Sequence, residues 1–286
     1  REKSMTHALI TPEQLKTMGD VVIIDTRAPE AYAAGHIPGA VNLHEIFTFL
    51  ATSDPDGIVQ MTETFASAFG AAGLSGAETA VIYEGSMNTG FGQSCRGYFL
   101  LDFLGYPKKA VLDGGIEAWV AAGLPLNRET VAPEPVAFPV DPAGAHVLLT
   151  RDDMLAALDT GDAAILDVRD VDEWIAESSS PYGKDFCPRK GRIPTARWIE
   201  WYRLMKPTGD GPRLKSPDEV LAELATVGIT PDMPVYLYCF KGARASNSYL
   251  ALKQAGVADV RIYFGSWNEW SRDPSLPIEE GRPFAS

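Results

Sequence analysis

Residues 239–244, Cys-Phe-Lys-Gly-Ala-Arg, place one thiol, two cations and a glycine next to one another. A thiolate is both a nucleophile and an anion, so Cys239 followed by Lys241 and Arg244 suits a covalent intermediate formed on sulfur. Gly242 lets the backbone curl tightly, so that N–H groups can face the sulfur as donors face an oxyanion. Lys241 and Arg244 are expected to hold an anionic substrate, Arg244 through its planar fork of donors. Phe240 and Ala243 complete the loop and are grouped with them as substrate-contacting positions. A buried structural thiol is the plainer reading of an isolated cysteine, but it explains neither the cations nor the glycine beside this one.

The flanking elements set the thiol's position. Val235 to Tyr238 is an unbroken apolar run, which suits a strand buried on both faces of a parallel sheet. From Ala243 onward, Tyr249, Leu250, Leu252 and Ala255 recur at helical spacing until Gly256 stops the run. Cys239 therefore stands at the carboxyl end of a strand and the amino end of a helix, where unpaired N–H groups and the macrodipole favour an anion. Cations at a helix amino end are electrostatically unfavourable, so Lys241 and Arg244 point to an anionic ligand.

The chain repeats itself. Val21 to Arg27 returns as Ala163 to Arg169, Glu30-Ala31-Tyr32 as Asp172-Glu173-Trp174, and Gly35 to Asn42 as Gly191 to Trp198. Ala80 to Tyr83 answers Val235 to Tyr238, and Asp113 to Trp119 answers Phe264 to Trp270. Landmarks matched in the same order mean two copies of one α/β domain, each a parallel sheet flanked by helices with right-handed crossovers. Pro133, Pro135, Pro139 and Pro142 mark a stiff linker. Residues 1–126 are expected to form the first domain, 127–145 the linker and 146–286 the second domain.

Composition excludes several classes. A net charge of −13 argues against nucleic acid and anionic membranes, both of which require a basic face. No apolar run reaches the length of a membrane helix, and residues 1–11 lack the apolar region of a secretion signal. A cytoplasmic location is favoured, or a periplasmic one if a leader preceded residue 1. Cys95, Cys187 and Cys239 are odd in number and none belongs to a Cys-x-x-Cys pair, so neither a disulfide framework nor a zinc site is expected. No metal and no organic cofactor is implied, and a monomer is expected.

Other residues are weaker candidates. Cys95 reads as a small helix-start residue and Cys187 as a loop thiol with basic neighbours. Lys184, Arg189, Lys190, Arg192, Arg197 and Arg203 form a basic stretch that suits either an anion-binding face or a solvated one. Trp270 repeats Trp119 and belongs to the core. Trp267 has no counterpart in the first copy and either walls the cleft or simply packs.

Asp-x-Arg, Gly-His-Ile-Pro-Gly-Ala, Cys-Phe-Lys-Gly-Ala-Arg and the closing Gly-Gly/Ser-x-x-x-Trp together resemble the tandem rhodaneses, two-domain sulfurtransferases, over nearly the whole chain. The resemblance implies two rhodanese-like domains, each with a five-stranded parallel sheet, and a catalytic cysteine, Cys239, in the second. The first copy has Tyr83-Glu84 where the second has Tyr238-Cys239, and is expected to be silent. The implied reaction is double displacement: Cys239 takes a sulfane sulfur from a small anionic donor as a persulfide and passes it to cyanide or a thiol. Arg192 is placed near the cleft by the resemblance, at the position held in the first copy by His36, itself read as a packed turn residue. Lys241 resembles the Cys-Arg-Lys-Gly-Val-Thr loop of thiosulfate enzymes and favours thiosulfate over 3-mercaptopyruvate, whose enzymes resemble Cys-Gly-Ser-Gly-Val-Thr. Phe240 and Arg244 match neither pattern, and Arg244 is more like single-domain rhodaneses. Two rivals stand beside this reading. Phosphatases on a similar fold use Cys-x-x-x-x-x-Arg, a loop one residue wider than this one. A non-catalytic sulfur-carrier or binding module is the other.

Overall fold

The computed structural model describes residues 8–283, grouped into two compact α/β units. The first draws on residues up to Phe49, Gln60–Ala145 and Lys206–Arg213; the second on Leu50–Val59, His146–Met205 and residues from Leu214 onward.

In the first half the elements run β1 (Leu9–Ile10), α1 (Pro12–Thr17), β2 (Val21–Asp25), α2 (Pro29–Ala34), β3 (Val41–Asn42), α3 (Glu45–Thr48), α4 (Pro55–Ala71), β4 (Thr79–Tyr83), α5 (Gln93–Phe103), β5 (Lys109–Leu112) and α6 (Gly115–Ala121). The second half continues with β6 (Leu148–Leu149), α7 (Arg151–Thr160), β7 (Ala164–Asp167), α8 (Val171–Trp174), β8 (Arg197–Trp198), β9 (Met205–Lys206), β10 (Arg213–Leu214), α9 (Pro217–Ala225), β11 (Val235–Tyr238), α10 (Ala243–Gln254), β12 (Val260–Tyr263) and α11 (Ser266–Trp270). Local chemistry sets several helix starts. Thr11, Thr150 and Ser216 each cap a helix with a reciprocal side-chain box, which satisfies two otherwise orphaned N–H groups.

Each unit holds a five-stranded parallel sheet, ordered β1-β5-β4-β2-β3 in the first and β6-β12-β11-β7-β8 in the second. The central strands β4 and β11 are covered on both faces, which is why they read as continuous apolar runs rather than alternating ones. Leu237 and Ile262 are fully buried, each such side chain contributing roughly 1.5–3 kcal/mol. In the second unit β7 is followed by β8 on one side and β11 on the other. That reversal falls at the carboxyl ends of β7 and β11, the position where open α/β sheets bind ligands.

The duplication extends to individual hydrogen bonds. The Tyr83 hydroxyl donates to Asp25 at 2.5 Å and accepts from the Ile37 N–H, while the Tyr238 hydroxyl donates to Asp167 at 2.6 Å and accepts from the Ile193 N–H. Asp25 pairs with Arg27 and Asp167 with Arg169, and each arginine then donates to the carbonyl of Gly35 or Gly191 at 2.8 Å. His36 and Arg192 occupy matching isolated bridges, to Asn127 and Glu279. Among the described residues no helix is long and apolar enough to cross a membrane.

Candidate active site

β11 ends at Tyr238 and α10 begins at Ala243, so residues 239–242 form the strand-to-helix turn expected from the sequence. The Gly242 N–H donates to Cys239 Sγ at 3.1 Å. Gly242 is left-handed, with φ +89°, and a Cβ there would lie 2.5 Å from the Phe264 ring. Glycine is needed twice over at this residue, for its backbone angle and for its closeness to Phe264. The carbonyls of Cys239 and Phe240 accept the N–H groups of Trp267 and Asn268, both at 3.0 Å, and the Cys239 N–H donates to Ser266 Oγ at 3.2 Å. These bonds tie the loop to the first turn of α11. Cys239 itself is 1 % exposed.

The loop's side chains have distinct surroundings. Phe240 is buried, with the Tyr182 and Phe186 rings edge-on to it at 5.4 and 5.9 Å. Those two aromatics, each about half exposed, come from the insertion that distinguishes the second copy from the first. Lys241 Nζ stands 5.2 Å over the Tyr182 ring. Ala243, the first residue of α10, is buried.

Arg244 departs from expectation. Its guanidinium is buried and paired with Glu173, Nη1 to Oε2 at 2.6 Å and Nη2 to Oε1 at 3.0 Å, with Asp170 a further 3.0 Å from Nη1. Burial alone would weaken the charge, but Glu173 outweighs it, aided by Cys239 and Asp170, and the guanidinium pKa rises well above its ordinary value. The expected fork toward a substrate is thus turned onto two carboxylates. Asp170, Asp172 and Glu173 present oxygens within 4.8 Å of one another, the kind of cluster that holds a cation; here Arg244 supplies one to Asp170 and Glu173.

Two other candidate residues are likewise engaged within the fold. Trp267 is fully buried, faces the Arg169 guanidinium at 4.6 Å and donates Nε1–H to the Arg189 carbonyl, the packed arrangement of the two the sequence left open. Arg192 is committed to Glu279, to the Gly281 carbonyl and to the face of Trp174. Much of the basic stretch is architectural. Arg189 donates to the carbonyls of Trp270, Ser271, Asp273 and Leu276, Arg197 to those of Val227 and Gly228, while Arg203 pairs with Glu223 and Lys190 with Asp185. Buried carbonyls at chain turns need donors, and arginine supplies several at once.

The first unit's counterpart carries no thiol. Glu84 follows β4 where Cys239 follows β11, and the N–H groups of Ile116 and Glu117 donate to the carbonyls of Glu84 and Gly85 as Trp267 and Asn268 do to Cys239 and Phe240. Glu84 is fully buried and accepts from the Ser94 N–H at 3.1 Å and hydroxyl at 2.6 Å, so a carboxylate caps the start of α5. Burial pushes its pKa up to about 7 against the pull of those bonds. Cys95 on α5 is fully buried, and its thiol is pushed well above the ordinary range by burial and then by the nearby Glu84 charge. Cys187 is buried, its sulfur 3.7 Å from an Arg272 nitrogen. His36 packs flat on Tyr32 at 3.8 Å, as a turn residue should.

Glu173 and Asp170 escaped the sequence reading as site residues. A signal was present: the second copy has Glu173 before its aromatic where the first has Ala31, and that difference coincides with the change from Glu84 to Cys239.

The duplicated parallel α/β fold places one cysteine, in its second copy, at the turn between β11 and α10 with the Gly242 N–H directed at its sulfur. The chain belongs to the rhodanese-like domain family, whose profile matches residues 11–122 and 150–273, and is a rhodanese-type sulfurtransferase. It is similar to the thiosulfate sulfurtransferase of Azotobacter vinelandii, 32% identical over 262 residues that span 91% of either chain. The sulfur carrier protein TtuD of Thermus thermophilus is 30% identical over 256 residues, 87% of either chain. Among solved structures, the anaerobic ergothioneine biosynthesis enzyme from Chlorobium limicola, in complex with trimethyl histidine, superposes with a TM-score of 0.82 at 25% identity, covering 97% of this chain and 71% of that one.

Proposed function

We propose that the second unit transfers a sulfane sulfur through Cys239, with thiosulfate as the leading donor. The Gly242 N–H aimed at Cys239 Sγ is the observation that carries this reading: a donor already in place stabilises a sulfur anion, both before attack and after each transfer. The Cys239 thiolate attacks the outer sulfur of thiosulfate. The S–S bond breaks and sulfite leaves with the electron pair. The resulting persulfide then yields its outer sulfur to cyanide or a thiolate, and the electron pair of that S–S bond returns to Cys239. Lys241 supplies positive charge at the loop, and the thiosulfate sulfurtransferases among the relatives support the choice of donor. Phe240, Ala243 and the aromatic pair Tyr182 and Phe186 shape the approach. The first unit, with a carboxylate in place of the thiol, carries no nucleophile and takes no part in the covalent step.

Mass spectrometry after thiosulfate treatment tests the covalent step directly. Cys239 should gain about 32 Da, one sulfur atom, and lose it on addition of cyanide with release of thiocyanate. Cys239→Ser should gain none, and steady-state kinetics should be ping-pong. A variant lacking Cys239 that retains activity refutes the reading. A phosphatase would instead turn over a phosphate ester, and a pure binding module would acquire no adduct.

A further inference from the structure

Arg244 stands on the first turn of α10, five residues after Cys239, yet the positive charge it brings there is matched by carboxylates on the other side. Glu173 grips it through two hydrogen bonds and Asp170 through a third contact. Glu173 is fully buried and Arg244 nearly so, and in such a setting opposite charges attract more strongly than they do in water, which holds the carboxylate against the guanidinium. The pair is also preassembled. Asp170 caps α8, and the Asp170 N–H donates to the same Glu173 oxygen that faces Arg244, so both carboxylates are fixed by one helix start.

The repeat supplies an internal control. Tyr32 packs on His36 in the first unit, and Trp174 packs on Arg192 at the matching place in the second. The residue before the aromatic is Ala31 in one and Glu173 in the other. The carboxylate is thus present in the copy that has the cysteine and missing from the copy that has Glu84.

We propose that Glu173 and Asp170 set the charge selectivity of the Cys239 site: they neutralise Arg244, weaken the site's hold on dianions and shift its preference toward donors and acceptors of low charge. They are positioning residues, acting on the reaction through Arg244. The inference deepens the sulfur-transfer reading, because it states what limits the site's hold on a dianion such as thiosulfate, but it can be measured without sulfur transfer.

Alkylation of Cys239 by iodoacetate and by iodoacetamide provides the probe. The two reagents are close in size and attack by the same chemistry, so the ratio of their rates reports the potential at the sulfur, while thiolate reactivity and access largely divide out. Read by peptide mapping at fixed pH and low salt, the iodoacetate-to-iodoacetamide ratio should rise about fivefold in Asp170→Asn and in Glu173→Gln, each of which removes one negative charge. Asp170→Asn leaves both Glu173 hydrogen bonds to Arg244 in place, so it tests the charge even if Glu173→Gln folds poorly. Loosening of the loop alone would speed both reagents together, and an unchanged ratio in both variants overturns the proposal. A kinetic arm connects it to function: in Asp170→Asn, KM for thiosulfate should fall more than KM for the singly charged 3-mercaptopyruvate, with kcat changed alike for both. A raised ratio in a protein that neither donor converts to a persulfide leaves the charge assignment standing and refutes sulfur transfer alone.

Discussion

Glu84 offers a quantitative test of what fills the first unit's loop in place of a thiol. Its carboxyl is fully buried and titrates near 7, against an ordinary value of 4.5. The folded state therefore keeps a proton that the unfolded chain has already released. Stability from this group is complete below about pH 4.5 and declines as pH rises to about 7, a total change of about 3 kcal/mol. Most of that loss falls between pH 5 and pH 8. Glu84→Gln keeps an oxygen for the Ser94 N–H and hydroxyl and removes the titration. Urea unfolding of both proteins at pH 5 and pH 8 isolates the effect, because every other titrating group is common to them. The variant's stability relative to the parent should rise by about 2–3 kcal/mol between the two pH values. A difference that does not change with pH would show that Glu84 ionises normally, and with it would go the idea that a reluctantly charged carboxylate fills the first unit's loop.

Two further perturbations separate the loop from its scaffold. Gly242→Ala combines a left-handed backbone angle with a Cβ placed 2.5 Å from the Phe264 ring, so it should cost about 2 kcal/mol or more and abolish persulfide formation by turning the donor N–H away; thermal unfolding and the mass assay read the two effects. Arg189→Ala removes the donors from four carbonyls and should cost about 3 kcal/mol in urea unfolding, while KM for thiosulfate stays within about twofold at a temperature where the variant is folded. A selective rise in that KM would return Arg189 to the substrate face.

Much of the architecture was legible because it is periodic. Unbroken apolar runs marked β4 and β11, helical spacing marked α10, and the order of landmarks exposed the duplication. The thiol's place between strand and helix followed from the same local rules, and so did the need for glycine at residue 242. What those rules do not carry is the direction of a long charged side chain. Arg244, Arg192 and Arg189 are identical in a sequence, and each presents the same fork of donors. Their partners lie between 71 and 89 positions away in the chain: Glu173 for Arg244, Glu279 and Gly281 for Arg192, and the carbonyls around Trp270 for Arg189.

The sequence by itself determined the repeat, the parallel sheets, the thiol at the turn between β11 and α10 and the absence of a thiol at the matching place in the first copy, because strand and helix periodicities and turn chemistry act over a few neighbouring residues. Only the tertiary structure decided what the charges do. A buried cation must find its counterion wherever folding brings one, and for Arg244 the fold brought Glu173 and Asp170.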